Sequence, residues 1–330
     1  MAISVCIPAT RKHSLPSTIR SVLRQEWPDW ELLVLGQGDS LREAQLRAAV
    51  AEAAGTDSRV TYVHLPRAGV SRARNAALRL ARGEVLAFLD DDCEADPDWL
   101  TTIVGAFDAD SRLGLVGGAL VRPRRLGPME SCPSVMPAEA TYDPTAAPRR
   151  RPAGWDWYGA NLAMRAHVGV RVGAWDECLG AGAEFPAGED TDYKFRAEAL
   201  GIRMLTTPRS RVVHSFGIRV GRAALRAQRN YAFGNGALAA KLTLIGDPAG
   251  RDWLHETRRR CLTSWARRLR PHRLPIDLRH VLWFELGYRR CLRGYVVDET
   301  GLLRPRDLKP AVSHEHGAPA MSARTAAERR

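Results

Sequence analysis

The chain opens on a repeated exchange of short apolar runs and amphipathic stretches. Ile3-Ser4-Val5-Cys6-Ile7 lacks regular polar alternation and stops at Pro8, which predicts a buried strand with Ala9-Thr10-Arg11 as the loop beyond its end. Ile19, Val22 and Leu23 form a stripe that predicts a helix over 17–25, capped by Ser14 or Ser17. A second buried strand is expected over 31–35, ended by Gly36-Gln37-Gly38-Asp39-Ser40. The alanine-rich stretch 41–54 reads as a helix and 60–64 as a third strand. Gly69 then frees a turn into a helix running to about residue 81, with Ser71 as its cap. The run 85–89 is apolar throughout and predicts a buried parallel strand. Strand and helix in strict exchange predict a doubly wound α/β domain.

The pattern changes downstream. Residues 120–155 are Pro- and Arg-rich with little periodicity, which predicts a long connection. A helix is expected from Asp190, with Tyr193, Phe195, Ala199 and Leu200 on its apolar side, followed by two short strands over 202–206 and 211–214. Arg219, Arg222, Arg226 and Arg229 follow at steps of three, four and three, which predicts one basic helix face, on a helix continuing to Leu244. The stretch 281–292 mixes large apolar with basic residues: either a basic amphipathic helix lying on an anionic membrane, or one packed on the catalytic domain. Residues 311–330 are polar, without periodicity, and are expected to be disordered.

Composition narrows the function. The 330 residues suit one large domain, or a domain with an extension. The formal net charge of +12 implies an anionic partner. Residues 251–310 alone carry fifteen Lys and Arg against seven Asp and Glu. Six cysteines without CxxC spacing argue against a zinc site or a disulfide framework and for a reducing compartment. With no leader pattern and no apolar run of about 18 residues, the expectation is a cytoplasmic protein. The basic C-terminal helices leave open a peripheral contact at the inner face of the membrane.

The candidate chemistry begins at Asp90-Asp91-Asp92, directly after the strand over 85–89. Three adjacent carboxylates repel one another, and a divalent cation relieves that repulsion. Oxygen ligands suit Mg²⁺ or Mn²⁺ shared with a substrate's phosphates. The end of such a strand is also where open α/β sheets bind ligands. The competing reading is an acidic solvated loop, or the approach to a helix at Pro97-Asp98-Trp99-Leu100. Arg72 and Arg74 in a first helical turn oppose the helix dipole, which an anion or the aspartates would offset. Trp155, Trp157 and Trp175, with carboxylates such as Glu184 nearby, suit sugar recognition or an ordinary core.

The strand ending in Pro8, the Gly69-x-x-x-Ala73-Arg74-Asn75 segment and Phe88-Leu89-Asp90-Asp91-Asp92 together resemble the family 2 glycosyltransferases. Further motifs follow in order: Gly159-x-Asn161-x-x-x-Arg165, Gly188-Glu189-Asp190 with Arg196, and His214. The resemblance covers about residues 1–217. It implies a GT-A fold, a Rossmann-like mixed sheet, over 1–217, leaving 218–310 as a basic helical extension and 311–330 as a tail. It implies an inverting transfer of a sugar from a nucleotide-diphosphate donor to an acceptor hydroxyl. It assigns Asp92 and His214 to a Mn²⁺ or Mg²⁺ ion, and Asp90, Asp91, Arg74, Pro8, Thr10 and Arg11 to the donor. Asp190 becomes the general base, with Glu189 competing. Trp155, Trp157, Asn161 and Glu184 are expected on the acceptor side. One position departs: the family's base-reading aspartate is replaced by Gly36, with Asp39 as the candidate substitute.

Two other readings stand beside it. A nucleotidyltransferase would be expected to carry a glycine-rich phosphate loop after the first strand, and Pro8-Ala9-Thr10-Arg11 has no glycine. A nucleic-acid binder would track aromatic and basic residues along one face; here the basic residues concentrate outside the α/β region, so no nucleic acid is expected.

Overall fold

The computed structural model describes residues 1–266 and 274–306, so the expected disorder of 311–330 lies outside the described residues. Three strand–helix units come first: β1 (Ile3–Ala9), α1 (Leu15–Leu23), β2 (Trp30–Gln37), α2 (Ser40–Ala54), β3 (Val60–Leu65) and α3 (Val70–Leu80). β4 (Val85–Leu89), the two-residue β5 (Glu94–Ala95), α4 (Trp99–Ala109) and the long β6 (Leu113–Val121) follow. Next come β7 (Glu130–Ser131), β8 (Ala140–Tyr142), β9 (Asn161–Arg165), α5 (Ala166–Val172), α6 (Glu189–Ala199) and β10 (Arg203–Val213). The chain then carries β11 (Arg219–Val220), α7 (Arg222–Leu244), α8 (Pro248–Ala266), α9 (Leu274–Gly294) and the hairpin β12 (Tyr295–Val297) with β13 (Leu303–Pro305).

The main sheet runs β3-β2-β1-β4-β9-β6-β10-β5, with β8 also on β10. β1 pairs in parallel with β2 and β4, and β6 with β10, but β9 lies antiparallel between β4 and β6. The sheet is therefore mixed, and β4 is parallel on one side only.

The apolar runs are strands because both faces of the sheet are covered. Val5, Leu32, Val34, Val85, Ala87 and Leu89 face a core made with α1, α2 and α4. Cys6, Leu33, Leu35, Leu86 and Phe88 face the opposite core, made with α3, α5 and α6. That alternation follows from the two-residue period of a strand.

Five local expectations are corrected. The two short strands after α6 are one strand, β10, with its register broken between Thr207 and Arg211 against Gly118 and Ala119. The connection 120–155 is pinned, β7 to β11 and β8 to β10. α7 begins at Arg222, after Gly221 at a φ of 54°, so Arg219 sits on β11 rather than on the basic helix face. Ser14 occupies the cap position of α1 without a side-chain cap bond. Ser71 lies inside α3, where its hydroxyl donates to the Leu179 carbonyl at 2.8 Å.

α7, α8 and α9 enclose a third core that also takes in Leu179 and Phe185. α7 and α9 meet at a reciprocal glycine contact. A Cβ on Gly236 would lie 1.9 Å from the Phe284 carbonyl oxygen, and one on Gly287 1.9 Å from that of Phe233. Only glycine permits backbones this close. Of the two arrangements open for 281–292, α9 has its buried side packed here. No helix among the described residues is long and apolar enough to cross a membrane. All six cysteines are free.

Candidate active site

The site forms where β1 and β4 end, and each aspartate there does something different. Asp91 is buried and turns back on the β1 loop. Its carboxylate accepts the backbone N–H of Thr10 at 2.5 Å and of Arg11 at 2.8 Å, and also binds the Arg11 guanidinium. It clasps the loop and is not among the residues lining the cavity. Asp92 is buried against His214, with its Oδ2 3.2 Å from the His214 Nε2 and 3.3 Å from Arg11. The His214 Nδ1 sits 3.0 Å from the Pro133 carbonyl, which orients the ring. Burial pushes the Asp92 carboxyl up, but the His214 hydrogen bond and charge outweigh it and hold the group below its ordinary value. His214 is raised for the matching reason: burial lowers it, and Asp92 more than offsets that.

Asp90 lies at the cavity edge, 3.6 Å from Arg74. Arg74 is buried and also reaches Glu189 at 3.1 Å, with its guanidinium over the Trp175 ring at 4.7 Å. Trp175 is itself stacked on Tyr193. One buried cation on a rigid aromatic floor thus bridges the β4 carboxylates to α6. This answers why an arginine opposes the dipole of α3: it serves two acids of other elements.

α6 starts from Gly188 at a φ of 93°, placing Glu189 and Asp190 in the first turn. Asp190 accepts the Thr191 N–H at 2.7 Å and the Gly159 N–H at 3.3 Å. Burial, then repulsion from Asp190, push Glu189 up to about 7 against the pull of Arg74. Asp90, Asp92, His214, Arg74, Glu189 and Asp190 all line one cavity of about 470 Å³, with Tyr158, Arg219 and Tyr231 on its walls.

Asp92 and His214 fit a divalent ion: a carboxylate oxygen and an imidazole nitrogen, adjacent, buried and open to the cavity, suit Mn²⁺ or Mg²⁺. The Cys93 sulfur lies within 4.8 Å of the same atoms. Burial and the neighbouring aspartates push its thiol well up, and it donates to Asp92.

The acceptor-side expectations are corrected. Trp157 is fully buried and Trp155 nearly so, in the core beneath the sheet. Asn161 is spent on structure: it donates to the Ala119 and Ser210 carbonyls and accepts from the Trp99 indole, tying β9 to β6 and β10. Glu184 binds Arg290 and Tyr295, joining its loop to α9 and β12. Tyr158 and Tyr231 are the aromatic rings that do line the cavity. Nothing in the sequence separates Tyr158 from the tryptophans beside it, whereas Arg219 and Tyr231 lie beyond the last recognisable motif. Asp39 caps α2 by accepting the Arg42 N–H at 2.9 Å and is exposed, outside the cavity lining. Gly36 is filled over by Tyr62, whose hydroxyl would lie 2.3 Å from an added Cβ, so no aspartate fits there without moving that ring.

Residues 4–163 match the family model described as glycosyl transferase family 2. The Glucosyl-dolichyl phosphate glucuronosyltransferase of Haloferax volcanii is 24% identical over 217 residues, 65% of this chain and 68% of its own. The UDP-Glc:alpha-D-GlcNAc-diphosphoundecaprenol beta-1,3-glucosyltransferase WfgD of Escherichia coli is 37% identical over 92 residues, 27% of this chain and 34% of its own. This chain thus aligns to about two thirds of the first relative and one third of the second. Among solved structures, the mannosyltransferase PcManGT of Pyrobaculum calidifontis, in complex with GDP-Man and Mn²⁺, shares the fold. It has a TM-score of 0.57 at 16% identity, over 88% of this chain and 86% of that one. Residues 4–163 thus resemble glycosyl transferase family 2, and the chain has the GT-A fold. It is a glycosyltransferase.

Proposed function

We propose that this enzyme moves a sugar, with inversion, from a nucleotide-diphosphate donor (a UDP-, dTDP- or GDP-sugar) to an acceptor hydroxyl in glycan, glycolipid or natural-product assembly. The observation that carries this is the shared cavity: the Asp92–His214 pair and the Glu189–Asp190 turn border one space large enough for a sugar. Residues 1–217 would form the catalytic domain and 218–310 its basic extension.

A divalent ion on Asp92 and His214 would, when bound, supply charge that stabilises the departing diphosphate. Arg11, held by Asp91 and Asp92, adds fixed positive charge at the same end. Asp190 takes the proton of the acceptor hydroxyl as its oxygen bonds to the anomeric carbon. The bond from that carbon to the diphosphate oxygen breaks, and the electron pair leaves with the nucleoside diphosphate. Attack opposite the leaving group inverts the anomeric centre. Two backbone N–H donors hold the Asp190 carboxylate in place. Arg74 ties Glu189 to Asp90, so that the base side and the donor side keep one spacing.

The test is a panel of nucleotide sugars assayed for nucleoside diphosphate release with Mn²⁺, with Mg²⁺ and with EDTA. Release from one donor class that EDTA abolishes is expected. Pyrophosphate release from a nucleoside triphosphate and a sugar phosphate, with no nucleoside diphosphate from any donor, would establish a nucleotidyltransferase instead.

A further inference from the structure

We propose that the groove between α7 and α9 binds the phosphate or diphosphate ester of an anionic acceptor, whose hydroxyl then reaches Asp190. This rests on the function proposed above and names the chemistry of its acceptor. The groove has a volume of about 430 Å³ and is lined by Arg226, Arg229 and Arg279 against the single carboxylate Asp277 among its described lining residues.

Elsewhere on α8 and α9 many arginines are paired. Arg258 and Arg289 bind Glu285, Arg259 and Arg260 bind Glu256, and Arg290 binds Glu184. Arg226 and Arg279 have no ion pair or side-chain hydrogen bond among the described residues. Arg229 has a bond to Asn230 and the face of Trp283, 5.2 Å away. Three guanidinium groups gathered in one concavity repel one another unless an anion joins them. A phosphate oxygen pair matches the guanidinium fork.

The groove adjoins the catalytic cavity, with Gln228 bordering both. Arg226 and Tyr231, which lines the catalytic cavity, are five residues apart, a rise of about 7.5 Å along α7 and about 140° around it. A sugar carried by a phosphate in the groove would reach the cavity past Gln228. Leu225, Leu278 and Leu282, exposed by 40%, 53% and 54%, stand on the same two helices. Apolar chain attached to that phosphate would find cover there. The phosphate belongs either to a soluble acceptor or to a lipid at a membrane surface.

The test uses the full chain and two probes. Inorganic pyrophosphate is titrated calorimetrically with EDTA present, so that no metal draws it into the catalytic cavity. Vesicles of phosphatidylglycerol and phosphatidylcholine are sedimented in parallel. The Arg226→Gln/Arg279→Gln protein is compared with wild type after thermal melts show that it folds, and the single variants replace it if it does not. We expect wild type to bind a probe and the variant to lose about tenfold or more in affinity, with metal-dependent nucleoside diphosphate release from the donor alone, without acceptor, unchanged. Loss of vesicle binding in the variant assigns the phosphate to a lipid; loss of pyrophosphate binding alone assigns it to a soluble acceptor. Wild type binding neither probe, or the variant binding as tightly as wild type, overturns the proposal. Absence of nucleoside diphosphate release in wild type would refute the functional reading while leaving the anion-binding result to stand.

Discussion

Lys241 is the most consequential side chain outside the cavity, and Lys241→Ala is the perturbation to make. Its ammonium, 2% exposed, lies 2.8 Å from Asp176 and 2.5 Å from Asp192, which are 1% and 3% exposed. It fastens α7 to α6, the helix that presents Glu189 and Asp190. Asp192 keeps Arg196 at 2.9 Å when the lysine goes, and Asp176 keeps the N–H groups of Cys178 and Leu303. The loss thus leaves one buried negative charge without a counterion. Removing one partner of such a pair costs about 3–5 kcal/mol, a fall in Tm on the order of 10 °C. Lys241→Met keeps most of the packing, so it should lose nearly as much; Lys241→Met/Asp176→Asn should recover part of it. The pH dependence has a sign. In wild type, Lys241 and Arg196 overcome burial and hold Asp192 below its ordinary value, a contribution present at neutral pH and lost as pH falls. Without the lysine burial is less offset at Asp192, so the deficit should be larger at about pH 8 than at about pH 5. Thermal and urea unfolding of the three variants measure this. A Tm change within about 2 °C for Lys241→Ala, flat with pH, would refute the reasoning.

Gly287→Ala should lower stability by about 2 kcal/mol or more, because the new methyl meets the fixed carbonyl of Phe233; a melt equal to wild type would mean α9 moves freely on α7. Glu189, raised to about 7, is protonated in the folded chain where the unfolded chain has already ionised. Stability should therefore fall as pH rises from its ordinary range to about 7, and Glu189→Gln should flatten that slope in urea titrations. Trp157→Phe should lower Tm while leaving the acceptor KM unchanged, since the ring is buried in the core; a KM change at unaltered Tm would return it to the acceptor site.

The fold was legible where burial on both faces leaves an unbroken apolar run, as in β1, β2 and β4. Direction was not legible: Asn161–Arg165 reads like its neighbours, yet β9 runs antiparallel, because long-range pairing sets direction. β10 was split by Pro208-Arg209-Ser210, a local break that the sheet absorbs as a bulge. The charged half of the site was visible because Asp90, Asp92, Arg74 and Glu189 are unfavourable together unless arranged for each other. The acceptor side was not, because Trp155 and Trp157 satisfy a core as readily as a sugar face. Arg219 and Tyr231 reach the cavity only through the packing of β11 and α7, which no local pattern encodes.

The proposed function divides labour across one cavity, with donor phosphates at Asp92 and proton removal at Asp190. The most direct measurement is kcat for transfer beside calorimetric donor affinity, both with Mn²⁺, in Asp190→Asn. Transfer should fall by about a hundredfold to ten-thousandfold while the donor Kd stays within about threefold of wild type. Equal loss of both, or transfer that persists, would contradict the account.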